Sequence, residues 1–133
     1  MIERSRFLGV VVVAALLALA GCSSGPDTIP AGSYAATLAG THSELDGTWT
    51  VTLEAGGHYR IERGDKPAVD GTYELDGARV YFTDERGPMK CPSEISRGLY
   101  AWRVSGRQLT FTPVTDNCQG RRGILATQPL QQR

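Results

Sequence analysis

Residues 47–62 read Gly-Thr-Trp-Thr-Val-Thr-Leu-Glu-Ala-Gly-Gly-His-Tyr-Arg-Ile-Glu. Apolar residues alternate with polar ones on both sides of the Gly-Gly pair: Trp49, Val51, Leu53, Tyr59 and Ile61. A period of two residues is typical of a strand with one buried and one solvated face. A short glycine-rich link between two such runs is typical of a tight antiparallel turn. The stretch therefore predicts a β-hairpin.

The same alternation continues outward from this hairpin, at Val69, Tyr73, Leu75, Val80, Phe82, Tyr100, Trp102, Val104, Leu109 and Phe111. A first strand over about 32–38 and a last strand over about 121–127 bring the expected number to eight. No segment after residue 22 shows a helical period. Evenly spaced strands of this kind predict an all-β fold, a two-sheet sandwich or an up-and-down barrel. We expect an eight-stranded antiparallel barrel.

The connections between the predicted strands alternate in length. The tight turns are 55–57, 76–77 and 105–106, and the longer connections are about 39–46, 63–68, 84–97 and 113–120. In an up-and-down barrel, alternate connections lie at the same end, so all tight turns are expected at one end and all long loops at the other. Cys91 and Cys118 would then both lie at the long-loop end, within reach of each other.

The N-terminal segment has the features of a secretory signal. Arg4 and Arg6 precede an apolar run that is too short for a stable membrane span and ends in Leu19-Ala20-Gly21-Cys22. This tetrapeptide resembles the lipobox of bacterial lipoproteins. The resemblance implies that residues 1–21 are removed and that Cys22 carries fatty acyl chains in a membrane. An ordinary signal peptide or an uncleaved segment with a chance cysteine is the alternative.

The lipobox divides the chain into a signal peptide (1–21), a lipidated Cys22 with a flexible linker (22–31) and a barrel domain (32–133). The expected localisation is the cell envelope, with the domain facing the periplasm or the cell exterior. Two thiols outside the cytoplasm usually pair, which predicts the Cys91–Cys118 disulfide, worth roughly 3 kcal/mol on the chain-entropy model. The alternatives to a disulfide are a metal-binding pair and a reactive thiol. The sequence lacks the Cys-x-x-Cys spacing or the nearby histidine that these alternatives need.

The net charge of the expected mature chain is close to zero. Residues 1–21 hold two of the 14 basic and one of the 14 acidic residues, which leaves 12 and 13. This balance argues against nucleic acid or an anionic membrane surface as the main partner. We expect a monomer attached to the membrane through its lipid.

The segment Gly47-Thr48-Trp49 resembles the Gly-x-Trp motif of lipocalins and related calycins. The segment 98–121, which begins with Gly98-Leu99-Tyr100-Ala101-Trp102 and ends with Asp116-Asn117-Cys118-Gln119-Gly120-Arg121, is also similar to small secreted bacterial proteins of lipocalin-like type. The resemblance implies that Trp49 packs at the closed end of the barrel beneath an arginine, here Arg121 or Arg122. The tryptophan lies on the second predicted strand rather than the first, and the sequence shows no helix after the barrel. The membrane-bound lysozyme inhibitors are another family of small lipoprotein barrels, but their recognition-loop motif is absent here.

The polar residues that resemble catalytic or metal-binding groups have simpler interpretations. His42 and His58 lack a second ligand at useful spacing, so solvated histidines are expected and no metal or cofactor is predicted. The acidic pairs Glu44 with Asp46 and Asp84 with Glu85 are interpreted as solvated loop residues. Asp116 with Arg121 is interpreted as a salt bridge rather than a substrate clamp. We therefore expect the protein not to be an enzyme.

Inward-facing aromatic residues leave two functions open. One is a lipid-anchored carrier that holds a small apolar or amphipathic ligand at the long-loop mouth, with ligand contacts from Tyr34, Tyr81, Met89 and Trp102. The other is a protein-interaction or enzyme-inhibitor lipoprotein that acts through the loops 84–97 and 113–120 without a ligand cavity. Gly71, inside a strand pattern, is interpreted either as room for a ligand or as a bend that closes the barrel. A purely structural barrel without a ligand is a third reading.

Overall fold

The computed structural model describes residues 27–40 and 43–133. In this part of the chain eight antiparallel strands form a closed barrel in which neighbours along the chain are neighbours in the sheet, and the last strand pairs with the first. The elements are β1 (Gly32–Leu38), β2 (Gly47–Leu53), β3 (His58–Arg63), β4 (Lys66–Asp76), β5 (Arg79–Arg86), β6 (Arg97–Ser105), β7 (Gln108–Thr115), helix α1 (Gln119–Ala126) and β8 (Leu130–Gln132). The predicted all-β barrel fold is confirmed.

The barrel interior is packed with the apolar residues of the alternating pattern. Phe82 is fully buried and its ring lies 5.0, 5.8 and 5.3 Å from the rings of Tyr59, Tyr100 and Phe111, in edge-on arrangements. Such edge-to-face pairs add to the free energy gained from burial alone. Aromatic side chains therefore fill the middle of the barrel, where an eight-stranded sheet leaves an interior just wide enough for side chains.

Gly71 lies on β4 beneath one of these rings. A Cβ atom at this position would lie 2.0 Å from the carbonyl oxygen of Thr83 and 2.7 Å from Cε1 of Tyr59. A register shift between Asp70 and Gly71 marks an irregularity in the pairing of β4 with β5. The glycine therefore provides space for the Tyr59 ring and for a close approach of two strands, rather than for a ligand.

The two ends of the barrel carry different connections. The turns 54–57, 77–78 and 106–107 lie at one end, called the tight-turn end below. The connections 39–46, 87–96 and 116–129 lie at the opposite, long-loop end. The prediction that 63–68 is another long loop is wrong, because Arg63 pairs with Lys66 and only residues 64–65 link β3 to β4. This tight turn lies at the long-loop end. The prediction that tight turns and long loops occupy opposite ends of the barrel is therefore correct only for the other connections.

The end of the chain differs from the prediction. Residues 121–127 were expected to form a strand, but Gln119–Ala126 form α1, and β8 is limited to Leu130–Gln132. Arg121, Ile124 and Leu125 are buried on one face of this helix, at the spacing that places side chains one above another. An eight-residue helix with glycines at 120 and 123 has little intrinsic stability, so tertiary packing determines its conformation.

Residues preceding β1 pack against the barrel. Ile29 is buried in the core, and the Tyr34 hydroxyl donates a hydrogen bond of 2.6 Å to the carbonyl of Pro30. The ordered domain therefore begins before residue 32, within the segment expected to be a linker. The signal peptide, the lipidation site Cys22 and most of the linker lie outside the described residues. Within the described ranges, the structure contains no helix with the length and hydrophobicity needed to cross a bilayer.

Candidate functional site

The predicted disulfide is present at the long-loop end. Cys91 lies in the loop 87–96 and Cys118 directly precedes α1, with their Cα atoms 6.0 Å apart. Both cysteines are buried. The bond therefore joins the loop after β5 to the segment after β7.

A cluster of five buried polar residues lies next to this disulfide and is called the polar cluster below. Its members come from β3, β5, β6, α1 and the connection between β7 and α1: Tyr59, Asp84, Tyr100, Arg121 and Asp116. The Arg121 guanidinium contacts both carboxylates, with Nε 2.7 Å from Asp116 Oδ2 and Nη1 3.1 Å from Asp84 Oδ1. A second bond, from Nη2 to Asp116 Oδ1 at 2.8 Å, makes the pair with Asp116 bidentate. This geometry is the strongest form of an arginine–carboxylate pair.

The remaining donors of Arg121 hold the loop after β5. Nη1 donates to the carbonyl of Ser96 at 2.6 Å, and Nη2 donates to the carbonyl of Ile95 at 3.1 Å. With the three bonds to carboxylates, every one of the five N–H groups of a guanidinium has an acceptor. One side chain on α1 thus holds the loop before β6, the end of β5 and the segment after β7.

The two carboxylates also bind the backbone of the disulfide. The N–H of Cys91 donates to Asp84 Oδ2 at 2.8 Å, and the N–H of Cys118 donates to Asp116 Oδ1 at 2.9 Å. The hydroxyl of Tyr59 donates to Asp84, and the hydroxyl of Tyr100 donates to Asp116. Each carboxylate is therefore paired with one cysteine N–H, one tyrosine hydroxyl and the shared guanidinium. The disulfide and the polar cluster form one hydrogen-bonded unit.

The environment of the polar cluster shifts the pKa values of its members. Burial, and next the neighbouring Asp84, raises the pKa of Tyr59; burial and the hydrogen bond to Asp116 raise that of Tyr100. Burial alone would raise the pKa of Asp116, but hydrogen bonds from Arg121, Tyr100 and the Cys118 N–H outweigh it and lower the pKa. Burial alone would lower the pKa of Arg121, but the hydrogen bonds and charges of Asp116 and Asp84 raise it. The two tyrosines stay neutral and the guanidinium stays charged near neutral pH.

The predicted salt bridge between Asp116 and Arg121 is confirmed. The interpretation of Asp84 as a solvated loop residue is wrong, because Asp84 is buried at the end of β5 whereas Glu85 is exposed. The sequence did contain the signal, since Asp84 continues the inward alternation of Val80 and Phe82. All donors of Arg121 are engaged and both carboxylates are enclosed, so the cluster holds segments together and has no free group directed at a substrate.

Gly98 on β6 is a further member of this site that the sequence did not reveal. A Cβ atom there would lie 2.4 Å from Asp116 Oδ2 and 2.9 Å from Arg121 Nη2. Any side chain at this position would displace the bidentate pair. Glycine is therefore required at position 98 because the polar cluster leaves no space for a side chain, and not because a turn needs its backbone freedom.

The arginine expected to stack on Trp49 is a different one. Arg63, at the end of β3, places its guanidinium 5.0 Å from the centre of the Trp49 ring, while Arg121 lies in the polar cluster. A Cβ on Gly47 would lie 3.2 Å from Arg63 Nε, so the Gly-x-Trp segment leaves room for this stacking. The indole N–H donates to the carbonyl of Leu45 at 2.7 Å. The prediction of Arg121 or Arg122 above Trp49 is wrong because α1 directs Arg121 to two buried carboxylates instead.

The four residues proposed to contact a ligand are distributed over different parts of the barrel. Tyr34 is buried, and Trp102 lies at the tight-turn end with its Nε1 3.1 Å from the carbonyl of Gly77. Tyr81 faces outward beneath the guanidinium of Arg97, 3.9 Å from its ring centre. Met89 lies exposed in the loop after β5. The structure does not bring these residues together into one site.

Open grooves are found on the outer wall of the barrel. One of about 430 Å³ lies over β1 and β8, lined by residues such as Ala35, Thr37 and Gln131. Another of about 310 Å³ lies over β4 and β5, beside Tyr81 and Arg97. Both are partly polar and exposed, unlike the apolar, enclosing pockets that usually hold small ligands.

The described ranges contain no group of three or more histidine, cysteine or acidic residues arranged to hold a metal ion. His58 is exposed at the start of β3, and His42 lies outside the described residues. Comparisons with protein-family models, with curated proteins and with solved structures find no match.

Proposed function

We propose that this protein is a lipid-anchored interaction protein of the bacterial envelope, which binds a partner protein through the long-loop end of its barrel. The observation that carries the proposal is the unit formed by the disulfide and the polar cluster, which holds the loop 87–96 and the segment 116–118 in one fixed arrangement. A binding surface with little conformational freedom loses less entropy on association.

The packed interior supports this function over that of a carrier. The rings around Phe82 occupy the centre of the barrel, and Gly71 accommodates a ring and not a ligand. Helix α1 and its buried residues cover the long-loop end, where a ligand mouth was expected. The carrier hypothesis stays a prediction that the experiment below distinguishes.

Exposed apolar side chains at the long-loop end support a protein partner. The structure exposes two large hydrophobic residues in its described part, Met89 at 38% and Val114 at 43%. Met89 precedes Cys91 in the chain, and Val114 lies near the end of β7, shortly before Cys118. Methionine is enriched at the core of protein–protein interfaces, and both side chains are accessible to a partner at this end of the barrel.

The proposed lipid attachment at Cys22 is consistent with partner binding through the long-loop end. β1 begins at the tight-turn end, so a lipid on Cys22 is connected to the opposite end from the loops. The seven residues of β1 span about 23 Å. A barrel attached in this way directs its long-loop end away from the membrane that holds it.

Native mass spectrometry of the full-length protein, solubilised from the envelope in mild detergent, tests the proposal. We expect an assembly with a second protein and no small molecule that denaturation releases. A releasable small molecule on most of the protein, without a protein partner, would instead establish the carrier function. The Cys22→Ser variant provides the control for the anchor, since it should lose the acyl mass and leave the membrane fraction.

A further inference from the structure

The segment that leads into β1 packs into the tight-turn end of the barrel. Ile29 is buried in the hydrophobic core, and the next residue, Pro30, accepts the hydrogen bond from the Tyr34 hydroxyl. Because β1 starts at the tight-turn end, Ile29 enters the barrel interior from that end. The described chain begins at Asp27, two residues earlier. The N-terminal side of the domain is therefore held at the tight-turn end.

Few residues separate this point from the expected lipid. Asp27 is five positions after Cys22, and a chain of that length spans at most about 17 Å when fully extended. A lipid on Cys22 would therefore keep the tight-turn end close to the bilayer surface. A contact made so near its anchor is effectively intramolecular, so a weak affinity is enough to populate it.

The inward-facing residues at this end are incompletely buried. Phe82, in the middle of the barrel, is fully buried, whereas four apolar residues of β4 and β6 are only partly buried: Tyr73, Leu75, Trp102 and Val104. The turn 77–78 lies beside them, since the Trp102 backbone N–H donates to the carbonyl of Ala78 at 3.1 Å. The tight-turn end therefore presents the edges of apolar side chains to its surroundings.

Two of these side chains combine an apolar ring with a polar atom at the rim. The Tyr73 hydroxyl donates to the carbonyl of Glu54, and the Trp102 indole N–H donates to the carbonyl of Gly77. Tyrosine and tryptophan are the residues enriched where a protein meets the membrane–water interface. Most turn positions at this end are glycine or alanine, at 55–57, 77–78 and 106, which allows a flat surface to approach the rings.

The charges at the tight-turn end nearly balance. The described turns and adjoining strand ends carry five arginines and four acidic residues, namely Arg60, Arg79, Arg103, Arg107, Arg133, Asp27, Glu54, Glu74 and Asp76. A surface of this kind attracts anionic headgroups only weakly. A contact with a bilayer would therefore depend on the anchor and on the apolar side chains, and not on the charge of the lipid.

We infer that the tight-turn end is a membrane-contact surface, on which the barrel rests against the bilayer that holds its lipid. The rings of Trp102 and Tyr73 lie at the level of the headgroups, and neutral phospholipid is a sufficient partner. The inference rests on the lipid anchor of the function proposed above and adds the orientation of the barrel. In this orientation the disulfide and the polar cluster stay accessible to a partner protein at the opposite end.

Fluorescence quenching by brominated phospholipid tests the inference with the mature, lipidated protein in vesicles of neutral phosphatidylcholine. The chain has two tryptophans, and Trp49 is fully buried, so bromine on the acyl chains reaches Trp102 alone. We expect the Trp102 emission to fall about twofold or more relative to unbrominated vesicles, as for a tryptophan at the interface. Trp102→Phe should abolish the quenching.

The matched control moves the fluorophore to the other end of the barrel. Ser93→Trp, combined with Trp102→Phe, places an exposed tryptophan in the loop 87–96. Bromine should leave the emission from position 93 unchanged. A cooperative urea transition of each variant shows that the barrel is folded.

The remaining outcomes separate this inference from the proposed function. An acylated protein that resides in the vesicles without quenching of Trp102 would overturn the inference and preserve the function. A shift of the Trp102 emission to shorter wavelength, again without quenching, would identify a second copy of the chain as the contact and likewise overturn the inference. Quenching at position 93 instead of 102 would place the long-loop end on the bilayer and overturn both. A chain that carries no acyl mass and stays out of the vesicles would remove the anchor on which both depend.

Discussion

The two ends of this barrel are closed by different interactions. At the tight-turn end, half-buried Tyr73 and Trp102 each donate one hydrogen bond to a turn carbonyl, at 2.6 Å to Glu54 and 3.1 Å to Gly77. At the long-loop end, the disulfide, the ion pair between Arg121 and Asp84 and the bonds from Arg121 to loop carbonyls join segments distant in the chain.

The length of the connections explains this difference. A two-residue turn such as 77–78 is determined by its own backbone and the strands on either side. The ten-residue connection 87–96 must be ordered against a conformational entropy of about 1–2 kcal/mol per residue. Contacts from other elements have to offset that cost. A barrel with long loops at one end therefore needs tertiary cross-links there, and such cross-links also make a rigid binding surface.

The largest expected effect comes from removing the cation of the polar cluster. Arg121→Met leaves Asp84 and Asp116 buried without a counter-charge, which should lower the free energy of unfolding by about 3–5 kcal/mol. Urea denaturation followed by tryptophan fluorescence measures it. Arg122→Met, at the exposed neighbouring position of α1, is the matched control and should change stability by less than about 0.5 kcal/mol. Equal effects of the two substitutions would contradict the central role of Arg121.

Removing the disulfide should have the next largest effect. Cys91→Ala combined with Cys118→Ala should lower the free energy of unfolding by about 3 kcal/mol, because the open loop gains entropy in the unfolded chain. Reductant should destabilise the wild-type protein and leave the double variant unchanged. A double variant as stable as the wild type would show that the polar cluster alone suffices to hold the long-loop end.

Acidification should weaken the long-loop end progressively. The pKa of Asp116 is lowered in the folded state by Arg121, Tyr100 and the Cys118 N–H, so its contribution to stability is complete above the unfolded-state value of about 3.9. The contribution is lost as the pH falls through the lower folded-state pKa. Urea midpoints between pH 2 and 7, compared between wild type and Asp116→Asn, measure it. An equally steep acid dependence in the variant would assign the effect to other groups.

The smallest expected effect belongs to the tight-turn end. Trp102→Phe removes the hydrogen bond to the Gly77 carbonyl at a half-exposed position and should cost about 1 kcal/mol. Tyr100→Phe, which removes a hydroxyl from the polar cluster, is the informative comparison and should cost more, since its partner is a buried carboxylate. Thermal unfolding of both variants under one condition decides the order. The reverse order would contradict the contrast between the two ends.

The sequence by itself determined seven of the eight strands, their antiparallel order and the cysteine pairing. Alternation such as that of Trp49, Val51 and Leu53 reflects a local geometric rule, since successive side chains of a strand point to opposite faces. Short glycine turns then leave few ways to connect neighbouring strands. The same rule predicts that Asp84 faces inward, because this residue continues the alternation of Val80 and Phe82. Its charge nevertheless suggested a solvated position.

The tertiary structure alone decided the conformation of 119–126 and the partners of the arginines. Residues 121–127 form no strand, because Gln119–Ala126 pack as helix α1 with Arg121, Ile124 and Leu125 buried, and β8 starts only at Leu130. Helix α1 covers the long-loop end instead and places Arg121 between two carboxylates that are 37 and 5 residues away in the chain. Arg63 stacks on Trp49 in its place. Pairings of this kind depend on which side chains the closed barrel brings together, and no local pattern in the sequence encodes them.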